Sequence, residues 1–97
     1  MHPFEEWLTH LKDQNARARI RERIARLMLG NFGDCRPVGE GILELRLAFG
    51  AGYRIYFAEA EKAIVVVLCG GDKSSQKRDI TRAKSFWADY RRLTRNA

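Results

Sequence analysis

Two short stretches constrain this chain more than any others. Leu43, Leu45 and Leu47 alternate with Glu44 and Arg46, and Tyr53, Ile55 and Phe57 alternate with Arg54 and Tyr56. Each is the pattern of a half-buried strand. "FGAG", with Gly50 and Gly52, lies between them and suits a short hairpin loop. All six apolar residues stand at odd positions, so directly opposed residues must have numbers with an even sum. An odd sum would turn one apolar set away from the core. A sum of 100 closes the loop tightly and sets Arg46 opposite Arg54.

Like charges directly opposed across two strands cost stability. Two readings of the pair stand side by side. Either the arginines, with Tyr56 next along the same face, form a site for an anion, or Glu44 or another acid neutralises them.

The rest of the chain fills in an architecture. Phe4, Trp7, Leu8 and Leu11 mark a one-sided helix, and Ala16, Ile20, Ile24, Leu27 and Met28 a longer one that stops at Gly30. The short polar link between them predicts an antiparallel helical hairpin. Arg17, Arg19, Arg21, Arg23 and Arg26 are spread around the second helix and read as its solvated exterior. "CRPVG" reads as a short edge strand in which Pro37 is tolerated. Ala63 to Cys69 is continuously apolar and reads as a central strand covered on both faces. After Ser74 comes a long helix lined by Ile80, Ala83, Trp87 and Tyr90, with Phe86 beside them. The prediction is one α+β domain over residues 1–97: a helical hairpin, about four mostly antiparallel strands, and a C-terminal helix.

Composition narrows the function classes. Ala63 to Cys69 is far short of the ~20 residues that span a bilayer, and "MHPFEEWLTHLKD" has no apolar signal region. Cys35 and Cys69 have neither metal-ligand spacing nor the density of a disulfide scaffold. The expectation is a cytoplasmic protein without membrane, metal or cofactor. The formal charge is +6, and 13 of the 18 basic residues are Arg. Arginine binds phosphate bidentately and stacks on bases, so a polyanionic partner is in view.

"GGDKSS" at residues 70–75 invites a phosphate-cradle reading, but a Walker A loop needs four residues between its glycines. Gly70 and Gly71 are adjacent. The remaining reading is a helix start capped by Asp72 or Ser74. Its amides and dipole favour an anion, Lys73 adds charge, and the glycines permit close approach of another group.

"FEEWLTHLKD", "GNFGD-x-x-P-V-G-x-G-x-x-E-L-R", "G-x-G-Y-R-x-Y" and "GGDKSSQ-x-x-D-I" together resemble the RelE/HigB-like toxins of bacterial toxin–antitoxin modules, within the phage-associated branch called addiction module killer proteins. The resemblance runs from Phe4 to about Lys84. It implies a small twisted antiparallel sheet of RelE/ParE-like fold and a metal-independent endoribonuclease. Such an enzyme cuts messenger RNA at the ribosome by 2′-hydroxyl attack, leaving a 2′,3′-cyclic phosphate. It implies that Arg54 holds the scissile phosphate, that Arg46 shares the charge, and that Lys73 stabilises the transition state or protonates the leaving group. Gln76 and Arg36 are implied to contact substrate and RNA, and Tyr56 to stack on a base.

The implied partners are messenger RNA, the ribosome and a cognate helix-turn-helix antitoxin, with promoter DNA reached only through the antitoxin complex. Two departures stand out. Relatives usually begin with a strand ahead of the first helix, for which Phe4 leaves no room. The expectation is therefore an upstream start or a sheet one strand short. The Tyr or His that several relatives carry early in the last helix is replaced here by Arg78 and Asp79, which leaves the general base unassigned. The alternatives are a ParE-like poison of DNA gyrase and an inactivated toxin that binds only its antitoxin.

Overall fold

The alternation at residues 43–57 acts as the parity rule requires. In the computed structural model, which describes residues 2–61 and 64–95, strands β2 (Ile42–Arg46) and β3 (Arg54–Glu61) pair antiparallel. Leu43 opposes Phe57, Leu45 opposes Ile55, and Arg46 opposes Arg54. The edge strand β1 (Cys35–Gly39) joins β2, and β4 (Ile64–Gly71) joins β3, giving the order β1-β2-β3-β4 with every pairing antiparallel.

Helices α1 (Pro3–Thr9) and α2 (Gln14–Met28) lie on one face of the sheet, and α3 (Gln76–Arg95) on the other. Asp13 caps α2 by accepting from the Ala16 amide at 3.1 Å. The helix ends as predicted at Gly30, whose φ of +89° only glycine adopts at little cost. Gly30 N–H donates to Leu27 O, and Asn31 N–H to Arg26 O, each at 3.0 Å. That pair of bonds is a Schellman motif.

The parity of the strands sorts the two cores. Leu45, Leu47, Tyr53, Ile55 and Phe57 pack with Phe4, Leu8, Ile20 and Leu27 on the α1–α2 side. Ile42, Tyr56, Ala58, Leu68 and Cys69 pack with Ala83 and Trp87 of α3. The polar residues Glu44, Arg46 and Arg54 therefore face α3. The extended-strand expectation for Ala63 to Cys69 needs one correction. From Val67 on, β4 is covered on both faces, as its apolar run implies, but Ile64 is exposed, Val65 and Val66 are half-buried, and β4 is an edge strand, with β2 and β3 the central ones. Continuous apolarity reports helices above and below a strand, not its rank within the sheet. Ala63 itself lies outside the described residues. No strand precedes α1 among the described residues, and no described helix is long and apolar enough to cross a membrane.

Candidate functional site

The neutralising acid is Glu44, and it is fully buried. Its Oε1 accepts from Arg46 Nε at 3.1 Å; its Oε2 accepts from Tyr56 OH at 3.0 Å and from Gln76 Nε2 at 2.9 Å. Arg54 Nε stands 3.8 Å from the same Oε2, too long for a hydrogen bond, while Arg54 Nη1 donates to Gly52 O at 3.2 Å. A buried carboxylate requires this degree of pairing. Burial by itself would raise the Glu44 pKa; hydrogen bonds from Gln76, Arg46 and Tyr56, with the Arg46 charge, outweigh it and hold the acid below its ordinary value. Glu44 is therefore an ionised hub joining β2, β3 and the first turn of α3.

The cationic pair is unequal. Arg46 keeps 38% of its side chain exposed, against 10% for Arg54. Arg54 Nε is buried with no hydrogen-bond partner among the described residues. Lys73 is exposed, and its backbone meets the β2–β3 loop. Its amide donates to Ala51 O at 3.4 Å. A Cβ placed on Gly52 (φ +73°) would sit 3.3 Å from Lys73 Cβ and 3.9 Å from Arg54 Nη1. Gly52 thus stands between the base of the Lys73 side chain and the Arg54 guanidinium. The structure gathers Arg46, Arg54, Lys73 and Gln76 at the end of the sheet where α3 begins. Arg36, exposed on β1 opposite Glu44, stands on the same sheet face at the edge.

The expectation that Tyr56 stacks on a base is overturned. Its ring is fully buried, and its hydroxyl is given to Glu44. Burial, the Glu44 charge and that hydrogen bond all push its pKa up, so the phenol stays protonated. Gln76 is half-buried and commits its Nε2 to Glu44, which leaves its Oε1 to meet another group. The signal for the hub was legible in the pairing itself, because Arg36, Glu44, Tyr56 and Cys69 fall in one row across the four strands.

The Gly-Gly segment does bring groups close. A Cβ on Gly70 would collide with the Trp7 ring, and one on Gly71 with Asp79 Oδ2. Asp79 is buried, accepts from Ser75 Oγ on Oδ2, and has Arg78 and Arg82 each 3.6 Å from Oδ1. Asp72 caps the 3-10 turn Lys73–Ser75 that leads into α3, accepting from Ser74 N at 2.9 Å within a capping box. The hydrogen bond from the Ser74 hydroxyl foremost, then those from the Ser74 and Ser75 amides, lower the Asp72 pKa against its partial burial. The capping expected at this turn is made by Asp72, and capping and an anion at the same turn are compatible. A cleft of about 640 Å³ beside it exposes Lys73, Lys77, Arg78 and Arg82. Asp79 and Ser75 were not singled out from the sequence as a pair; the i, i+4 spacing after two glycines was the available sign.

Neither thiol is activated. Burial, then the Asp79 charge, pushes Cys69 up to about 12, and burial raises Cys35. His2 and His10 cap or bond within α1. What remains at the end of the sheet is a cationic platform suited to a phosphate: two guanidinium groups braced on one carboxylate, and one exposed lysine.

Residues 6–86 match the family model described as Phage derived protein Gp49-like (DUF891). An uncharacterized protein of Haemophilus influenzae is 51% identical over 81 residues, covering 84% of this chain and 82% of its own length. No solved structure matches the chain.

Proposed function

This chain belongs to the Gp49-like family of phage-derived proteins, and we propose that it is the toxin of a toxin–antitoxin pair, a metal-independent endoribonuclease that cuts messenger RNA on the ribosome. The observation that carries the reading is the Arg46–Arg54 pair, braced on buried Glu44, with exposed Lys73 across Gly52 from Arg54.

In the proposed reaction the 2′-oxygen bonds to the adjacent phosphorus, and the bond from phosphorus to the 5′-oxygen breaks. The products are a 2′,3′-cyclic phosphate and a 5′-hydroxyl. Negative charge accumulates on the non-bridging oxygens, where preorganised cations contribute most. Arg46 and Arg54 meet that charge, and Lys73 stabilises it or gives its proton to the departing 5′-oxygen. Glu44 positions the guanidinium groups and does not touch substrate. Tyr56 acts only through Glu44. The 2′-hydroxyl proton goes to a base outside this set, water or a ribosomal group. Gln76 Oε1 and Arg36 supply further RNA contacts. A cognate helix-turn-helix antitoxin neutralises the toxin by covering the Arg46–Arg54 face, and promoter DNA is bound only by that complex.

The test is inducible expression of wild type, Lys73→Ala and Arg46→Ala in a bacterial host, with growth and primer extension followed over minutes. Growth arrest with new ends inside translated messages, lost in the Lys73 variant, is the expected result. Arrest with intact messages and a DNA-damage response would replace it with a gyrase poison. Absence of arrest would leave an antitoxin-binding protein.

A further inference from the structure

The five arginines of α2 do not form one uniform exterior. Arg17 Nη1 donates to Leu11 O at 2.6 Å, and Arg21 pairs with Glu5 at 3.9 Å, so both serve the junction with α1. Arg19, Arg23 and Arg26 follow one another at i, i+4 and i+7 and line a groove of about 410 Å³. Its opposite wall is the outgoing end of β2, with Arg46 and Phe49. The groove therefore gathers the three α2 arginines against the single carboxylate of Glu22, with Arg46 at its β2 end turning its guanidinium to Glu44 on the other face.

A helix built only for stability would not repeat like charges at these spacings, which are unfavourable on an isolated helix. Each guanidinium is also held in place by one contact. Arg19 Cζ stands over the Phe49 ring, 4.0 Å from its centroid, Arg23 Nη2 donates to Phe32 O at 3.1 Å, and Arg26 Nη2 donates to Glu22 at 3.1 Å. Every one keeps further N–H donors for another acceptor, so the forks are preorganised for phosphate oxygens. An acidic peptide would need apolar anchors as well, and the one aromatic floor residue already carries Arg19.

We propose that this groove binds the phosphate backbone of single-stranded RNA. The strand would pass from the scissile phosphate at the Arg46–Arg54 pair, on the α3 face, around the end of β2 to the groove beside α2. Arg46, at the end of β2, stands between the two. The inference rests on the ribonuclease reading and assigns the path of its substrate.

The test is fluorescence anisotropy with a labelled twelve-nucleotide 2′-O-methyl oligoribonucleotide, which lacks the attacking hydroxyl and cannot be cut. Affinity is measured across a series of salt concentrations. For a single strand each lost phosphate contact lowers the slope of log affinity on log salt by about 0.7. The variant Arg19→Gln/Arg26→Gln should therefore lose roughly 1.4 from the slope. Arg21→Gln/Arg92→Gln removes the same charge elsewhere and should keep it, as should Arg19→Lys/Arg26→Lys. Circular dichroism checks that each variant is folded. An unchanged slope in the groove variant overturns the inference. So does a poly-glutamate peptide that depends on Arg19 and Arg26 when the oligonucleotide does not. The two readings fail separately: intact messages in induced cells with the slope lost in the variant remove the ribonuclease and keep the groove. Cut messages with the slope unchanged do the reverse.

Discussion

Two buried carboxylates, each flanked by two arginines, hold different things together. Glu44 accepts three hydrogen bonds from Arg46, Tyr56 and Gln76, two of them from residues 12 and 32 positions away. Asp79 accepts one from Ser75, four residues back, and its Oδ1 has no hydrogen-bond partner among the described residues. Glu44 ties two strands to a helix, whereas Asp79 closes a single turn against Gly71. The difference teaches that burial of a charge says little by itself; the sequence separation of its partners decides whether it organises a site or a local turn.

Breaking the larger of the two networks gives the largest expected effect. Glu44→Ala leaves Arg46 opposite Arg54 with no counter-charge and Arg54 buried, and should cost about 3–5 kcal/mol in urea unfolding. Because Arg54 is the buried partner, Arg54→Ala should fall in the same range, which makes Lys73 and Arg46 the cleaner probes of activity. Tyr56→Phe removes one hydrogen bond to a charged acceptor and should cost about 1.5–3 kcal/mol.

On the Asp79 side, Gly71→Ala forces a methyl into the carboxylate and should cost about 1–3 kcal/mol. Combining it with Asp79→Ala should recover part of that loss, a non-additivity read from a double-mutant cycle. Acid separates Glu44 from its background more gently. Its folded pKa lies below the ordinary 4.5, so its stabilisation is complete above the unfolded value and is lost as pH falls through the folded one. Unfolding midpoints of wild type and Glu44→Gln, followed from pH 7 downward, should converge below about 4.5. The smallest effect on stability belongs to Lys73→Ala. That exposed change should move unfolding by no more than about 0.5 kcal/mol while growth arrest is lost.

Much of this was legible before any coordinates. Odd-numbered apolar residues on both strands restricted the register to even sums, and the tight Gly50–Gly52 loop then pointed to Arg46 opposite Arg54. Alternation could not choose between an empty cationic pair and one neutralised by Glu44, because a residue's face is local information and its depth is not. Tyr56 was misread for the same reason: α3 covers the row in which it stands. The rank of β4 was hidden because two covered faces give an edge strand the composition of a central one. The division of labour among the α2 arginines was hidden too, since it depends on where α1 and the end of β2 come to lie.

The chain's two tryptophans fall on opposite sides of the sheet, Trp7 against Gly70 in the α1–α2 core and Trp87 in the α3 core. Each layer thus carries its own intrinsic fluorophore. Single-tryptophan versions, Trp7→Phe and Trp87→Phe, would report separately on the two sides during refolding. Coincident traces would mean that the sheet recruits both helical layers in one cooperative step, and staggered traces would give the order in which they dock.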